Sequence, residues 1–181
     1  MTLPIPTPYV WQVGDAITAG KLNAFSDAVN FMINPPLGQV IQATTPQLIG
    51  NNAWTAIQFA DGGSGIQVDT YGGISSGTNT RYTSQLAGWY SVSGAVAFVA
   101  NATGSRGGLI YRDGTVVKGS GSLVSAVGGG GITTVPVSAD LVYLGVGQYV
   151  ELRAYQNSGA ALGTFIAGDH TSRLTVCWVH V

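Results

Sequence analysis

Gly88-Trp89-Tyr90-Ser91-Val92-Ser93-Gly94-Ala95-Val96-Ala97-Phe98-Val99 is the longest stretch in which the chain holds to a single period. Tyr90, Val92, Val96 and Phe98 fall on one side, and Ser91, Ser93, Ala95 and Ala97 on the other. A period of two marks a strand in a sheet with unlike faces. The second face is small and neutral rather than charged, which suits contact with another subunit as well as with water.

The pattern repeats on both sides of this stretch. Over residues 53–59, Thr55, Ile57 and Phe59 share a face. Residues 109–111 form a short strand, and Arg112-Asp113-Gly114 turns it back into residues 115–118, because Asp-Gly supplies the positive φ of a tight hairpin. Residues 132–137 and 141–144 are further strands. Gly145-Val146-Gly147 then turns the chain into residues 149–155, where Val150, Leu152 and Ala154 oppose Tyr149, Glu151, Arg153 and Tyr155. In the closing strand, residues 172–181, Leu174, Val176 and Trp178 share a face. Short strands, glycine-rich turns and no helix after Leu37 predict an antiparallel β-sandwich or jelly roll over residues 37–181.

Two other segments precede it. Pro4, Pro6 and Pro8 predict an extended arm over residues 1–17. Residues 18–34 predict the one helix, capped by Thr18 and stopped by Pro35-Pro36. Its Leu22, Phe25, Val29 and Met32 are spaced three, four and three, the seam of a short coiled coil. About 15 residues of helix do not hold in water alone, so it docks on something. A bundle around a symmetry axis and another surface both remain open. The segment 18–36 is expected to serve as anchor and oligomerisation element.

Composition bounds the function. The 181 residues suit one domain with a short extension. Only 8% are charged, against roughly 25% in an average soluble domain. The net charge of −1, without a basic run, argues against nucleic-acid binding. Little charge also means little repulsion between copies. The opening residues do not read as a signal peptide, and no apolar run of about 18 residues exists to insert in a membrane. Synthesis in a cytoplasm without ordinary export is expected. A single cysteine, Cys177, excludes an intrachain disulfide and reads as a buried thiol.

No catalytic or cofactor site is expected. Asp169-His170 with Ser172 has the residue types of a hydrolase triad, but neighbours along a chain point apart, and a polar loop is the simpler reading. Cys177 and His180, three apart on a strand, face opposite sides and share no metal. The glycine run Gly128, Gly129, Gly130 and Gly131 lacks the Lys-Ser/Thr and helix of a phosphate loop. Asp61-Gly62-Gly63-Ser64-Gly65 with Asp69 offers too few oxygens for calcium and reads as turns. Trp11, Trp54, Trp89 and Trp178 have the chemistry to stack on sugars, although core and interface are their commoner places.

Two resemblances add expectations. Gly88-Trp89-Tyr90-Ser91-Val92-Ser93-Gly94, Leu144-Gly145-Val146-Gly147-Gln148-Tyr149-Val150-Glu151-Leu152 and Leu174-Thr175-Val176-Cys177-Trp178-Val179 resemble strands of C1q/tumour-necrosis-factor-type jelly rolls. That likeness spans residues 38–181 and implies a homotrimer. It departs at Gln148, where the family carries a turn-capping Asp. Trp11-Gln12-Val13-Gly14-Asp15-Ala16-Ile17-Thr18-Ala19, Leu22-Asn23, Asp27-Ala28-Val29-Asn30-Phe31 and Asn34-Pro35-Pro36 resemble the N-terminal segment of minor tail or fibre proteins from tailed phages of actinobacteria. This implies a non-enzymatic virion component, attached to other virion proteins by its N-terminus, with the jelly roll displayed outward. A head fibre, a capsid decoration and a stand-alone carbohydrate-binding module are the alternatives. A host-surface glycan is the candidate ligand. The candidate displayed loops surround Arg106, at residues 105–108, and the glycines Gly128, Gly129, Gly130 and Gly131, at residues 119–131.

Overall fold

The strand that carries the longest alternation becomes the middle of a sheet. The computed structural model describes Pro6 and residues 9–59, 63–75, 77–129 and 131–181. One helix, α1 (Ala19–Ile33), is followed by β1 (Leu37–Ile41), β2 (Leu48–Ile49), β3 (Thr55–Ala56), β4 (Ile66–Asp69), β5 (Arg81–Thr83), β6 (Gly88–Phe98) and β7 (Ser105–Arg112). After them come β8 (Thr115–Val116), β9 (Ser122–Ser125), β10 (Thr133–Leu144), β11 (Tyr149–Gln156), β12 (Leu162–Gly163), β13 (Ile166–Ala167), β14 (His170–Thr171) and β15 (Arg173–His180). One sheet runs β10-β6-β15-β1-β4. The other runs β3-β11-β7-β8, with β5 also on β11 and β9 also on β7. Neighbouring strands in both are antiparallel. This is the expected jelly-roll sandwich.

The core lies between the two sheets. Tyr90, Val92, Val96 and Phe98 of β6 are fully buried, as their shared face predicts, together with Leu174 and Val176 of β15. They pack in one cluster with Ile110, Val150, Leu152 and Ala154 from the second sheet. At roughly 1.5–3 kcal/mol for each large apolar side chain removed from water, this cluster is the main stabilising term.

Tyr82 shows how closely that core is fitted. Its ring lies between the backbones of Gly38 and Gly73: a Cβ on Gly38 would come 2.6 Å from Cδ2, and one on Gly73 would overlap the ring. Burial pushes the Tyr82 hydroxyl well above the ordinary tyrosine pKa. Gly73→Ala is therefore expected to cost about 1–3 kcal/mol, because a buried ring must shift. A urea titration checks this, and an unchanged midpoint would mean that the ring has room to move.

Several boundaries differ from the sequence reading. Residues 132–137 and 141–144 are one strand, β10, whose pairing with β6 slips between Ala139 and Val142. Residues 109–111 belong to the eight-residue β7. The arm expected over 1–17 is not extended throughout. The Asp15 amide donates to the Gln12 carbonyl, closing a turn. The prolines Pro4 and Pro8 lie outside the described residues.

Candidate functional site

Helix α1 forms where it is predicted, with the Thr18 hydroxyl accepting from the Lys21 amide. None of its residues is buried. It meets the sandwich through Phe31, whose ring stands edge-on to Trp178 (centroids 5.1 Å) and to Tyr71 (6.2 Å). The seam lies on another side. At 100° per residue, Leu22, Phe25, Val29 and Met32 cluster more than a right angle from the centre of the Phe31 face. Leu22, Phe25 and Met32 are 54%, 63% and 79% exposed, and Val29 is half-buried. The seam residues thus share one side of the helix, with Leu22, Phe25 and Met32 bare and Val29 half-covered. Phe31, the contact that fixes the helix, shares a half-buried face with Ala24 and Ala28, whose small side chains make that spacing easy to overlook.

A compact knot precedes the helix. Lys21 Nζ lies 4.8 Å from the Tyr9 ring centroid and 5.3 Å from that of Trp11, and 3.1 Å from Asp15 Oδ1. Asp15 Oδ2 accepts from the Tyr9 hydroxyl (2.6 Å) and the Gln12 amide (2.9 Å). These bonds, with Lys21, hold the Asp15 carboxyl below its ordinary pKa. Val10, Val13 and Ile17 stay exposed around the knot.

The first sheet turns its outer face to solvent. Its central row runs Gln39, Thr175, Ser93 and Ser138 across β1, β15, β6 and β10, with Cys177 and Ser91 in a neighbouring row. Cys177 is half-buried on this face, not in the core as expected. Further along β6 the same face carries an exposed aromatic group in which Trp89 pairs with Tyr143 and His180. Trp89 lies 5.6 Å from Tyr143 and 6.3 Å from His180. Because Trp178 receives the Phe31 contact and its amide donates to the Pro36 carbonyl, the bare helix and this aromatic group share one end of the sandwich.

The expected display loops are only partly loops. Arg106 is fully buried, contrary to its assignment to an exposed loop. Residues 105–108 lie in β7, and the Arg106 guanidinium turns inward. Its Nη1 donates to the Thr103 and Ser105 carbonyls at 2.9 and 3.0 Å. Its Nη2 donates to the Asn101 carbonyl and side chain at 3.1 and 3.0 Å. Loss of water there lowers its pKa. Within 119–131, β9 pairs with β7. Gly128 and Gly129 are exposed, Gly131 is half-buried, and Gly130 lies outside the described residues.

The polar residues weighed for chemistry have other partners. His170 Nδ1 is 3.2 Å from the Thr134 hydroxyl, while Ser172 is buried and accepts from the Ala97 amide. Asp69 accepts from the Gly73 and Ile74 amides, closing a turn. Asp61 and Gly62 lie outside the described residues. No group of three metal-ligating side chains occurs among the described residues. Gln148, which stands where the family has Asp, still caps its turn: its Oε1 accepts from the Gly145 amide at 2.8 Å. Its Nε2 also donates to Asp113, tying two hairpins together.

No helix among the described residues is long and apolar enough to cross a membrane. No protein-family model matches the chain, and no curated sequence does. Solved structures define the class: the fold is the jelly roll of tumour-necrosis-factor-like proteins. Eiger TNF from S. frugiperda aligns with a TM-score of 0.56 at 9% identity, covering 81% of this chain and 94% of its own. Murine APRIL at pH 8.5 aligns with a TM-score of 0.55 at 12% identity, covering 78% and 98%. Its pH 5.0 structure gives 0.54 at 11%, with the same coverage. At these identities the likeness is one of fold.

Proposed function

We propose that this chain is a non-enzymatic virion protein of a tailed phage, a homotrimer planted by its N-terminal segment with the jelly roll outward. The carrying observation is the bare seam. Leu22, Phe25 and Met32 stay exposed on a helix that its own domain holds by Phe31. A helix this short does not keep such a stripe in water without a partner. The small-residue face and the Trp89 group at the same end offer a second surface for a neighbouring copy, and in a three-fold ring that contact joins two different patches. The resemblance of residues 11–36 to phage tail proteins supplies the virion setting. The Tyr9-Trp11-Lys21 knot, with Val10, Val13 and Ile17, is the part that meets a neighbouring virion protein. Tail and head positions both fit this architecture.

Light scattering on the purified chain tests the assembly. A mass three times the 18.6 kDa of one chain is expected, and a monomer at micromolar concentration would contradict the reading. A chain beginning at Leu37 should fold but fail to enter particles. Its incorporation at the normal level would remove the attachment role from the N-terminal segment.

A further inference from the structure

The chain has two histidines, and both stand at the outer face of the first sheet. His180, on β15, pairs with Trp89 of β6, and its ring stacks on the indole with centroids 6.3 Å apart and planes tilted by 28°. His170 reaches Thr134 of β10, with its Nδ1 3.2 Å from the hydroxyl. Thr134 pairs with Ala97, at the far end of β6 from Trp89. At about 3.3 Å per residue along β6, the two imidazoles bracket the small-residue rows across roughly 26 Å. Both are exposed. Neither forms an ion pair among the described residues.

The titratable and charged groups around His180 are Tyr143 of β10, 5.6 Å from Trp89, and Cys177 further back on β15. Around His170 they are Asp169 beside it and Arg173 at the start of β15, with Asp140 at the slip in β10. Between pH 7.5 and 5.0, tyrosine, cysteine, aspartate and arginine ordinarily keep their charge, whereas imidazole does not. At neutral pH the face is mostly rows of Ser, Thr, Gln and Ala. In mild acid it gains up to one cation at each histidine.

Resting on the assembly reading above, we propose that the two histidines make self-association through this face a pH switch, closed near neutrality and open in mild acid. In a free chain both imidazoles meet water, which hydrates the cation. A neighbouring copy laid on the face removes that water, and a desolvated imidazolium with no carboxylate against it works against the contact. A closed ring repeats the cost in every copy. The Trp89 stack and the Val181 oxygen, 2.6 Å from His180 Nδ1, belong to one chain and stay in place in both states. They do not set the sign; the lost water does. The free chain binds the extra protons, so falling pH favours it. For an imidazole that stays uncharged in the assembly and has the ordinary pKa of about 6.5 outside it, the pull toward the free chain grows about thirtyfold between pH 7.5 and 5.0.

Light scattering on the full chain at micromolar concentration, at pH 7.5 and 5.0 and one ionic strength, is the experiment, with near-ultraviolet circular dichroism to follow the fold. A threefold mass is expected at pH 7.5, and the mass of one folded chain at pH 5.0. His170→Gln with His180→Gln keeps a neutral hydrogen-bonding side chain at both places and should hold the threefold mass at pH 5.0. His180→Gln alone should move the dissociation to lower pH. If the glutamine pair does not fold, His170→Asn with His180→Asn makes the same comparison. A parent chain that is threefold at both pH values overturns the switch and leaves the assembly standing. A monomer at both overturns the assembly and the switch with it. The switch is also overturned if the glutamine pair dissociates at pH 5.0 like the parent, which would move the proton uptake to Asp140 or Asp169, or if the parent loses its fold at pH 5.0.

Discussion

Arg106→Met is expected to lower the stability of the β domain by about 2–4 kcal/mol, read as a shift of the urea midpoint at constant slope. Methionine keeps most of the length of arginine, so the change removes polar contacts more than volume. The guanidinium donates four hydrogen bonds, to the carbonyls of Asn101, Thr103 and Ser105 and to the Asn101 side chain. Two effects compete. Arg106 is fully buried with no carboxylate partner among those bonds, so its desolvation works against the fold. Its removal, in turn, leaves acceptors without donors at the turn that joins β6 to β7, and each unmet buried acceptor costs about 1–3 kcal/mol. Residues 102–104 are exposed, so water recovers part of that loss, which keeps the estimate below the sum. Arg106→Lys should rescue little, since one ammonium cannot span acceptors on three residues as a planar fork does. A methionine variant as stable as the parent would show that desolvation cancels the bonds.

Arg106 also shows where the sequence stops being legible. An arginine among Ser and Gly reads as surface, and nothing local says that the carbonyls of residues 101–105 need an internal donor. The long strands were readable because alternation accumulates: β6, β11 and β15 each bury the predicted face. β1, β4 and β5 were not. They have three to five residues, and Gln39, Gln67 or Arg81 interrupts any apolar period. Their places are set by partners far along the chain, as when Leu37 pairs with Cys177. The helix seam was visible from its spacing, whereas its docking through Phe31 depends on Tyr71 and Trp178.

Ser93→Arg is expected to convert the proposed trimer to monomer at micromolar concentration, while Leu22→Asp with Val29→Asp weakens that assembly to a lesser degree. Ser93 sits at the middle of the small-residue row, flanked by Thr175 and Ser138. In a free chain the new guanidinium would point into water from a half-buried position, so the fold should keep its urea midpoint. In a closed trimer the same substitution enters three times, and each desolvated, unpaired charge costs several kcal/mol. The seam variant puts its charges on a helix only about two heptads long, whose ends fray and admit water, so its penalty is smaller. Light scattering separates the cases. A Ser93→Arg trimer beside a monomeric seam variant would move the interface from the sheet to the helix. A seam variant that stays fully trimeric would make the helix dispensable for assembly and leave it the attachment role alone. If both variants keep the parental mass, neither surface holds the copies together, and bare leucine and phenylalanine on α1 must be covered by a different protein.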